Sequence, residues 1–270
     1  MALRRLLKRV IGGTSKVPIL GPIVIGFYQA RLPKTGWNRQ HPFDLLHGVD
    51  TSGSLPDYML APGATAYGAA QPSIIRRALA TIPVPRTCHF LDLGCGKGRP
   101  LLIATEFGFS AVTGVEFSAP LSRVAQSNAA TYGKAHPERT RVEIVTGDAL
   151  TYKLPESPLV IFLYNPFRQP LMEKLLANIE ATLRQAPRDL YVVYYNPVCA
   201  DLLDASSALE RRYAAQLSYD PGEVGYGPDT SDALVIWQNR GNAHPRPDGI
   251  PDARVIVISP HSRVEVEASG

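Results

Sequence analysis

Hydrophobic positions between residues 88 and 240 follow two periods in turn. Short apolar runs occur at Cys88–Leu93, Val112–Glu116, Val142–Thr146, Leu159–Tyr164 and Leu190–Tyr195. Runs this short and continuous predict parallel strands buried on both faces. The segments between them carry apolar residues at spacings of three and four: Leu121, Val124 and Ala125 in 118–130, then Leu171, Leu175, Leu176, Ile179 and Leu183 in 171–183. That spacing predicts helices, the first capped by Ser118 with Pro120 in its opening turn. Strand and helix in alternation predict an α/β sheet with right-handed crossovers. Two later runs, Tyr213–Ser218 and Ala233–Trp237, predict an antiparallel hairpin at the sheet edge. Residues 72–82 read as a helix ahead of the first strand.

The chain divides on these patterns into an arm (1–43), a helical cap or substrate region (44–87), the α/β core (88–240), and a C-terminal piece (241–270). The last begins with the proline-rich linker of residues 240–253 and ends with a hairpin from Val255–Ile258 and Val264–Val266. No internal repeat is visible.

Composition narrows the class without naming a function. At 270 residues, 45% hydrophobic and 19% charged, the chain is long enough for a full core and is neither disordered nor a coiled coil. Three cysteines (Cys88, Cys95, Cys199) make no disulfide framework or zinc site and point to a reducing, cytoplasmic setting. His41 and His47 stand six apart in a proline-containing loop, a spacing that excludes a simple metal site.

Charge changes the picture more. The net charge of +4 is uneven: eight bases and no acid precede Asp44, which leaves 20 bases against 24 acids beyond it. The basic balance therefore belongs to the arm, and the body is mildly acidic. Residues 3–11 place Leu3, Leu6, Leu7 and Val10 at helical spacing among Arg4, Arg5, Lys8 and Arg9. Val17 to Ala30 carries no charge, is too short to cross a bilayer, and contains Pro18 and Pro22, which oppose a straight helix. The arm fits an extension packed on the body, a peripheral contact with an anionic membrane surface through residues 1–30, or a targeting peptide.

The sharpest local signal is Asp92-Leu-Gly94-Cys95-Gly96-Lys97-Gly98-Arg99, placed where the first strand ends and a helix begins. Glycines there let backbone and helix N–H groups approach a ligand. A Walker loop needs four residues between its glycines, and a dinucleotide fingerprint needs glycine where Arg99 stands. Asp92 is unhelpful beside a pyrophosphate but suits a cationic ligand. Glu116 ends the second strand, where an acid accepts from ribose hydroxyls, and Asp148, in Gly147-Asp148-Ala149, follows the third. Three acids would thus line one carboxyl edge of the sheet.

With these motifs, residues 67–238 resemble the class I, seven-stranded S-adenosylmethionine-dependent methyltransferases. The resemblance implies a doubly wound, mostly parallel sheet with an antiparallel strand inserted near its edge. It also implies a cofactor, S-adenosyl-L-methionine. Asp92, Gly94, Cys95, Gly96 and Gly98 would hold its methionine end, Glu116 and Phe117 the ribose region, and Asp148 and Ala149 the adenine. Asn165 would border the same site, and Tyr67 would either lie over the cofactor or pack a helix. The alternative is a dinucleotide-binding or degenerate Rossmann-like domain.

Tyr164-Asn165-Pro166-Phe167 follows the fourth strand, where the resembled family faces the sulfonium. An Asn-Pro-Pro-aromatic turn there accompanies methylation of amine and amide nitrogens, its Asn side chain and the next carbonyl accepting from the target N–H. This chain lacks the second proline. The sequence also resembles a methyltransferase group that joins DLGCGKGR to LYNPF, with HGVDTSG (His47–Gly53) upstream. The implied catalytic set is Asn165, Pro166, Phe167 and Tyr164, with Tyr164, Tyr194 or Asp50 available to receive a proton. Asn196-Pro197 would either shape the acceptor pocket or end its strand, and Asp50–Gly53 would be a lid or substrate loop, or else a plain loop. The favoured acceptor is a nitrogen on a protein side chain or a small amine. The alternatives are a nucleic-acid methyltransferase anchored by the arm and a non-catalytic, membrane-associated cofactor-binding protein.

Overall fold

The five apolar runs form the parallel part of one seven-stranded sheet in the computed structural model, which describes residues 2–15, 20–83, 87–241, 254–259 and 263–267. The chain enters through α1 (Ala2–Ser15), α2 (Gly21–Ala30) and α3 (Pro42–His47). A two-stranded ribbon, β1 (Ser54–Leu55) and β2 (Tyr67–Gly68), then leads into α4 (Pro72–Ala80). The core alternates: β3 (His89–Leu93), α5 (Arg99–Ala104), β4 (Ala111–Glu116), α6 (Ala119–Ala135), β5 (Val142–Thr146), β6 (Leu159–Tyr164), α7 (Gln169–Gln185) and β7 (Leu190–Tyr195). It closes with α8 (Ala200–Asp204), β8 (Leu209–Ser218) and β9 (Ser231–Asn239), and a separate antiparallel hairpin follows from β10 (Arg254–Ser259) and β11 (Arg263–Glu267).

The strand order is β5-β4-β3-β6-β7-β9-β8. β3 to β7 run parallel, and β9 is antiparallel to both β7 and β8. The expected edge hairpin is present, with its second strand inserted between the first and the parallel set. Period two decides which face each side chain joins. Phe90, Val160, Phe162, Val193, Tyr195 and Ile236 pack with Ile74, Ile75 and Leu101 of α4 and α5 on one face. Their neighbours Leu91, Ile161, Leu163, Val192, Tyr194 and Trp237 pack with Met172, Leu175 and Ile179 of α7 on the other.

Three local expectations shift. The helix expected to end at residue 130 continues to Ala135, and Ser118 stands at its N-cap position without a side-chain cap hydrogen bond. Pro22 sits in the first turn of α2, where a missing N–H costs nothing, so it starts that helix instead of opposing it. Pro18 and residues 242–253 of the proline-rich linker lie outside the described residues.

The arm packs on the body. Ser15 is buried and donates its hydroxyl to the Met59 carbonyl at 3.1 Å. Gly12 lies so close to Tyr58 that a Cβ there would stand 2.3 Å from the Tyr58 carbonyl oxygen. Ile25 of α2 joins Leu55, Met59, Leu60 and Leu121 in a small third core. Among the described residues no helix is long and apolar enough to cross a membrane.

Candidate functional site

β3 pairs with β4 on one side and β6 on the other, so the crevice above their carboxyl ends is the sheet's switch point. A cavity of about 360 Å³ opens there. It is lined by the glycine turn, by Glu116, Phe117, Asp148 and Ala149, by Leu60, Ala61, Pro62 and the 64–70 segment, and by Tyr164, Pro166 and Phe167. Arg99, Leu171 and Lys174 also reach it.

The turn is built for close approach. Gly94, Gly96 and Gly98 have φ of +83°, +56° and +86°, left-handed values that a side chain rarely tolerates. At Gly96 an added Cβ would also stand 2.4 Å from the Tyr67 ring. Tyr67 is held there because its hydroxyl donates to the Thr51 carbonyl at 2.8 Å. It lies on β2, not on a helix, with its ring against the turn and the cavity.

The amides of the turn point mostly inward. Gly94 and Cys95 donate to the Val115 carbonyl at 2.9 and 3.2 Å, and Gly96 donates to Glu116 Oε2 at 2.9 Å. The turn therefore spends these three amides within the protein. What it presents instead is carboxylate. Glu116, 8% exposed, receives Gly96 and Ser118 amides, which lower its pKa, yet burial outweighs them and pushes it above the usual range. Its two oxygens have four lone-pair sites between them, and Phe117 is a further backbone donor beside Gly96 and Ser118, so acceptor capacity remains for a ligand. Asp148 is exposed and accepts from the Leu150 amide at 2.9 Å, which fixes it at the cavity rim.

Asp92 is the clearest feature. It is 2% exposed, and its Oδ2 has no hydrogen-bond partner among protein atoms. Burial, with the neighbouring Glu116 charge second, raises its pKa well above the ordinary carboxylate value. An orphaned buried oxygen beside a glycine turn that no side chain could occupy is a socket for a compact cation with N–H groups. The α-ammonium of S-adenosylmethionine has that chemistry, Glu116 has the acceptor capacity for a ribose, and the exposed ring of Phe117 offers a flat apolar surface beside them.

The Asn165 turn departs from expectation. Tyr164, Pro166 and Phe167 line the cavity, but Asn165 does not. The Asn165 side chain turns toward Tyr194, whose hydroxyl donates to its Oδ1 at 3.4 Å. Segment 63–65 lies across the turn as a short antiparallel partner. The Thr65 hydroxyl donates to the Asn165 carbonyl, the Thr65 amide to the Pro166 carbonyl at 3.1 Å, and Arg168 N–H to the Gly63 carbonyl at 2.9 Å. The amide oxygen and the next carbonyl that the resembled motif would offer to a target N–H thus each already accept one hydrogen bond within the protein. Asn196 repeats the geometry after β7, with φ +50° against +40° for Asn165, and it too stands outside the cavity lining.

The three residues considered for receiving a proton separate. Tyr164 reaches the cavity. Tyr194 is fully buried against Asn165. Asp50 lies outside the lining and pairs with Lys97 at 2.8 Å. The Asp50–Gly53 segment is held by a buried polar seam. Asp44, 1% exposed, accepts from the amides and hydroxyls of Thr51 and Ser52, and buried Arg99 stands 3.6 Å from it. Arg99 also donates to Thr51 Oγ1 at 2.7 Å and to the Ala70 carbonyl at 2.9 Å. Sequence reasoning missed this seam, although Arg99 next to the glycine turn was a visible cation with no assigned work. His41 receives the Phe43 amide at the start of α3, and burial lowers its pKa to about 4. Among the described residues no side-chain group has the makings of a metal site.

Residues 90–186 match the family model of a methyltransferase domain. Solved structures with a similar fold include an RNA methyltransferase from Salinibacter ruber in complex with S-adenosyl-L-homocysteine. It is 21% identical, covers 68% of this chain and 96% of its own, and superposes with a TM-score of 0.42. An O-methyltransferase from Bacillus cereus, also with bound S-adenosylhomocysteine, is 17% identical over 63% of this chain and 82% of its own, with a TM-score of 0.46. No curated protein matches. The matched domain, the strand order with its inserted antiparallel strand, and the acidic socket at the switch point agree: this chain carries a class I, S-adenosylmethionine-dependent methyltransferase domain.

Proposed function

We propose that the chain transfers a methyl group to the nitrogen of an amine, carried by a protein side chain or a small molecule. The observation that carries this reading is the aromatic part of the cavity lining. Tyr67, Tyr164 and Phe167 bring three aromatic rings to the cavity. The Tyr164 ring stacks on Tyr195 with centroids 4.3 Å apart, and the Tyr195 and Tyr219 hydroxyls both donate to buried Asp232 behind it. Aromatic faces backed by a carboxylate attract ammonium groups. The guanidinium of Arg99, one of two cations in the lining, is committed to Asp44, Thr51 and Ala70, so it is poorly placed to receive a phosphate.

S-adenosylmethionine, when bound, supplies an electrophilic methyl on a good leaving group. The chain's own task is then positioning, which contributes up to about 7–11 kcal/mol. Asp92 and Glu116 hold the cofactor, and Tyr164, Pro166 and Phe167 border the acceptor. Burial raises the Tyr164 pKa well above its ordinary value, so this hydroxyl orients an acceptor and does not serve as a base. An alkyl ammonium acceptor, with a reference pKa of about 10.4, must lose its proton to water at the mouth before its lone pair is available. Activity on such an acceptor is expected to rise with pH above neutrality.

The test is a lysate labelled by the purified protein with tritiated S-adenosylmethionine and fractionated by acceptor class. Label in protein or in small amines, stable to acid and base as methylamines are, supports the reading. Nuclease-sensitive label, or label in lipid phosphate or oxygen esters, overturns it.

The role of Asn165 follows from its backbone. In the left-handed region asparagine is tolerated, glycine is easy, and alanine is strained by about 1–2 kcal/mol. Asn165→Gly is therefore expected to keep turnover within a few-fold of the parent, while Asn165→Ala loses more through a distorted turn. Equal, large losses in kcat for both variants would restore the side chain as a direct ligand of the acceptor.

A further inference from the structure

α2 has two apolar faces, and the protein uses one. Ile25, with Val24 and Tyr28, packs into the third core, whereas Leu20, Ile23 and Phe27 follow one another at spacings of three and four on the outer side. They are 47, 68 and 62% exposed, and Val10 of the neighbouring α1 is 58% exposed. A helix facing only water would carry charges on that outer face, yet GPIVIGFYQA has none. The charges surround it instead: Arg5, Lys8 and Arg9 of α1 and Arg31 and Lys34 after α2 are all exposed. The Arg31 guanidinium stacks 3.4 Å from the Phe27 ring centroid, which holds a cation level with the edge of the apolar stripe.

We propose that the α1–α2 hairpin docks the protein on an anionic phospholipid bilayer, lying in its interface. The apolar stripe and the unopposed basic charge call for one occupant that is apolar inside and anionic at its surface. A second copy of the chain brings the same excess, eight bases and no acid before Asp44, so pairing arm to arm sets like charge on like. Neither helix can span, and an interfacial seat needs no spanning length. Docking also bears on the site, because α1 packs on Tyr58 and Met59, and Leu60, Ala61, Pro62 and Ala64 just beyond them line the cavity.

The experiment is co-sedimentation of the full chain with phosphatidylcholine vesicles, with and without phosphatidylglycerol. The wild-type protein is expected to pellet with the anionic vesicles and to be released by salt. The pair Ile23→Gln and Phe27→Gln, and separately the triple Arg5→Gln, Lys8→Gln and Arg9→Gln, are expected to lower partitioning at least about tenfold. Both variants should melt as the parent does and keep their stabilisation by S-adenosylmethionine, because all five side chains are exposed. The proposal fails if the parent ignores anionic vesicles at low salt, or if both variants bind as it does. It also fails if the Ile23/Phe27 variant instead converts a dimer to a monomer, or if RNA retains the protein where vesicles do not.

Discussion

Asp92→Asn is expected to raise the melting temperature of the ligand-free protein and to abolish its stabilisation by S-adenosylmethionine. For the parent, cofactor at 100 times its dissociation constant adds about 2.7 kcal/mol. In a domain of this size that raises the melting temperature by about 5–10 °C. Removing one partner of a buried charged contact costs about 2–5 kcal/mol of binding, so the same cofactor concentration should barely move the variant. The ligand-free gain has a separate cause: asparagine keeps a polar atom at that place but carries no charge for burial and the neighbouring Glu116 to disfavour.

The pH dependence gives a second readout. The Asp92 pKa is raised in the folded protein, so between the unfolded and folded values the native state holds more protons. Stability of the ligand-free protein from this group is then greatest below the ordinary carboxylate pKa and falls as pH rises through that window. Glu116, also raised, adds to the same slope. Asp92→Asn should flatten it in scanning calorimetry across pH. A variant that keeps the full cofactor shift, or the parental slope, removes Asp92 from the socket.

Asp92 also shows how much of the site was legible in the sequence. The acid, the glycines and the strand runs are local: each follows from residues within a few positions, and buried parallel strands announce themselves as continuous apolar segments. The cavity accordingly gathers all the expected cofactor residues except Asn165. Asn165 escaped because what turns it away is distant in the chain. Thr65, a hundred residues earlier, holds its carbonyl, and Tyr194, on the next strand, holds its side chain. The inward-facing amides of the glycine turn escaped for the same reason, since Glu116 and Val115 reach them from the adjacent strand. Residues 44–66 have no hydrophobic period to read. Their shape is set by polar groups that meet only after the sheet has formed, and Asp44 and Arg99 are the pair at its centre.

That pair carries the other large expected effect. Arg99→Met keeps an apolar stem of similar length but leaves Asp44 at 1% exposure without a cation. Stranding a buried charge costs about 3–5 kcal/mol. Asp44 retains four donors from Thr51 and Ser52, which argues for the lower end and a fall in melting temperature of about 6–12 °C. Asp44→Asn leaves Arg99 with neutral acceptors only and is expected to be destabilising as well. Because each substitution removes the same interaction, the double variant should cost less than the two together, by about 1–3 kcal/mol. The damage should also reach the cofactor site without touching it. Tyr67 is fixed over Gly96 by the Thr51 carbonyl, and Thr51 is fixed by Asp44 and Arg99. Arg99→Met, assayed well below its melting temperature, should therefore bind S-adenosylmethionine several-fold more weakly than the parent in calorimetry. A purely peripheral seam would give the same non-additive stabilities with unchanged affinity. Loss of affinity with non-additive stability places the 44–53 segment inside the machinery that shapes the cavity.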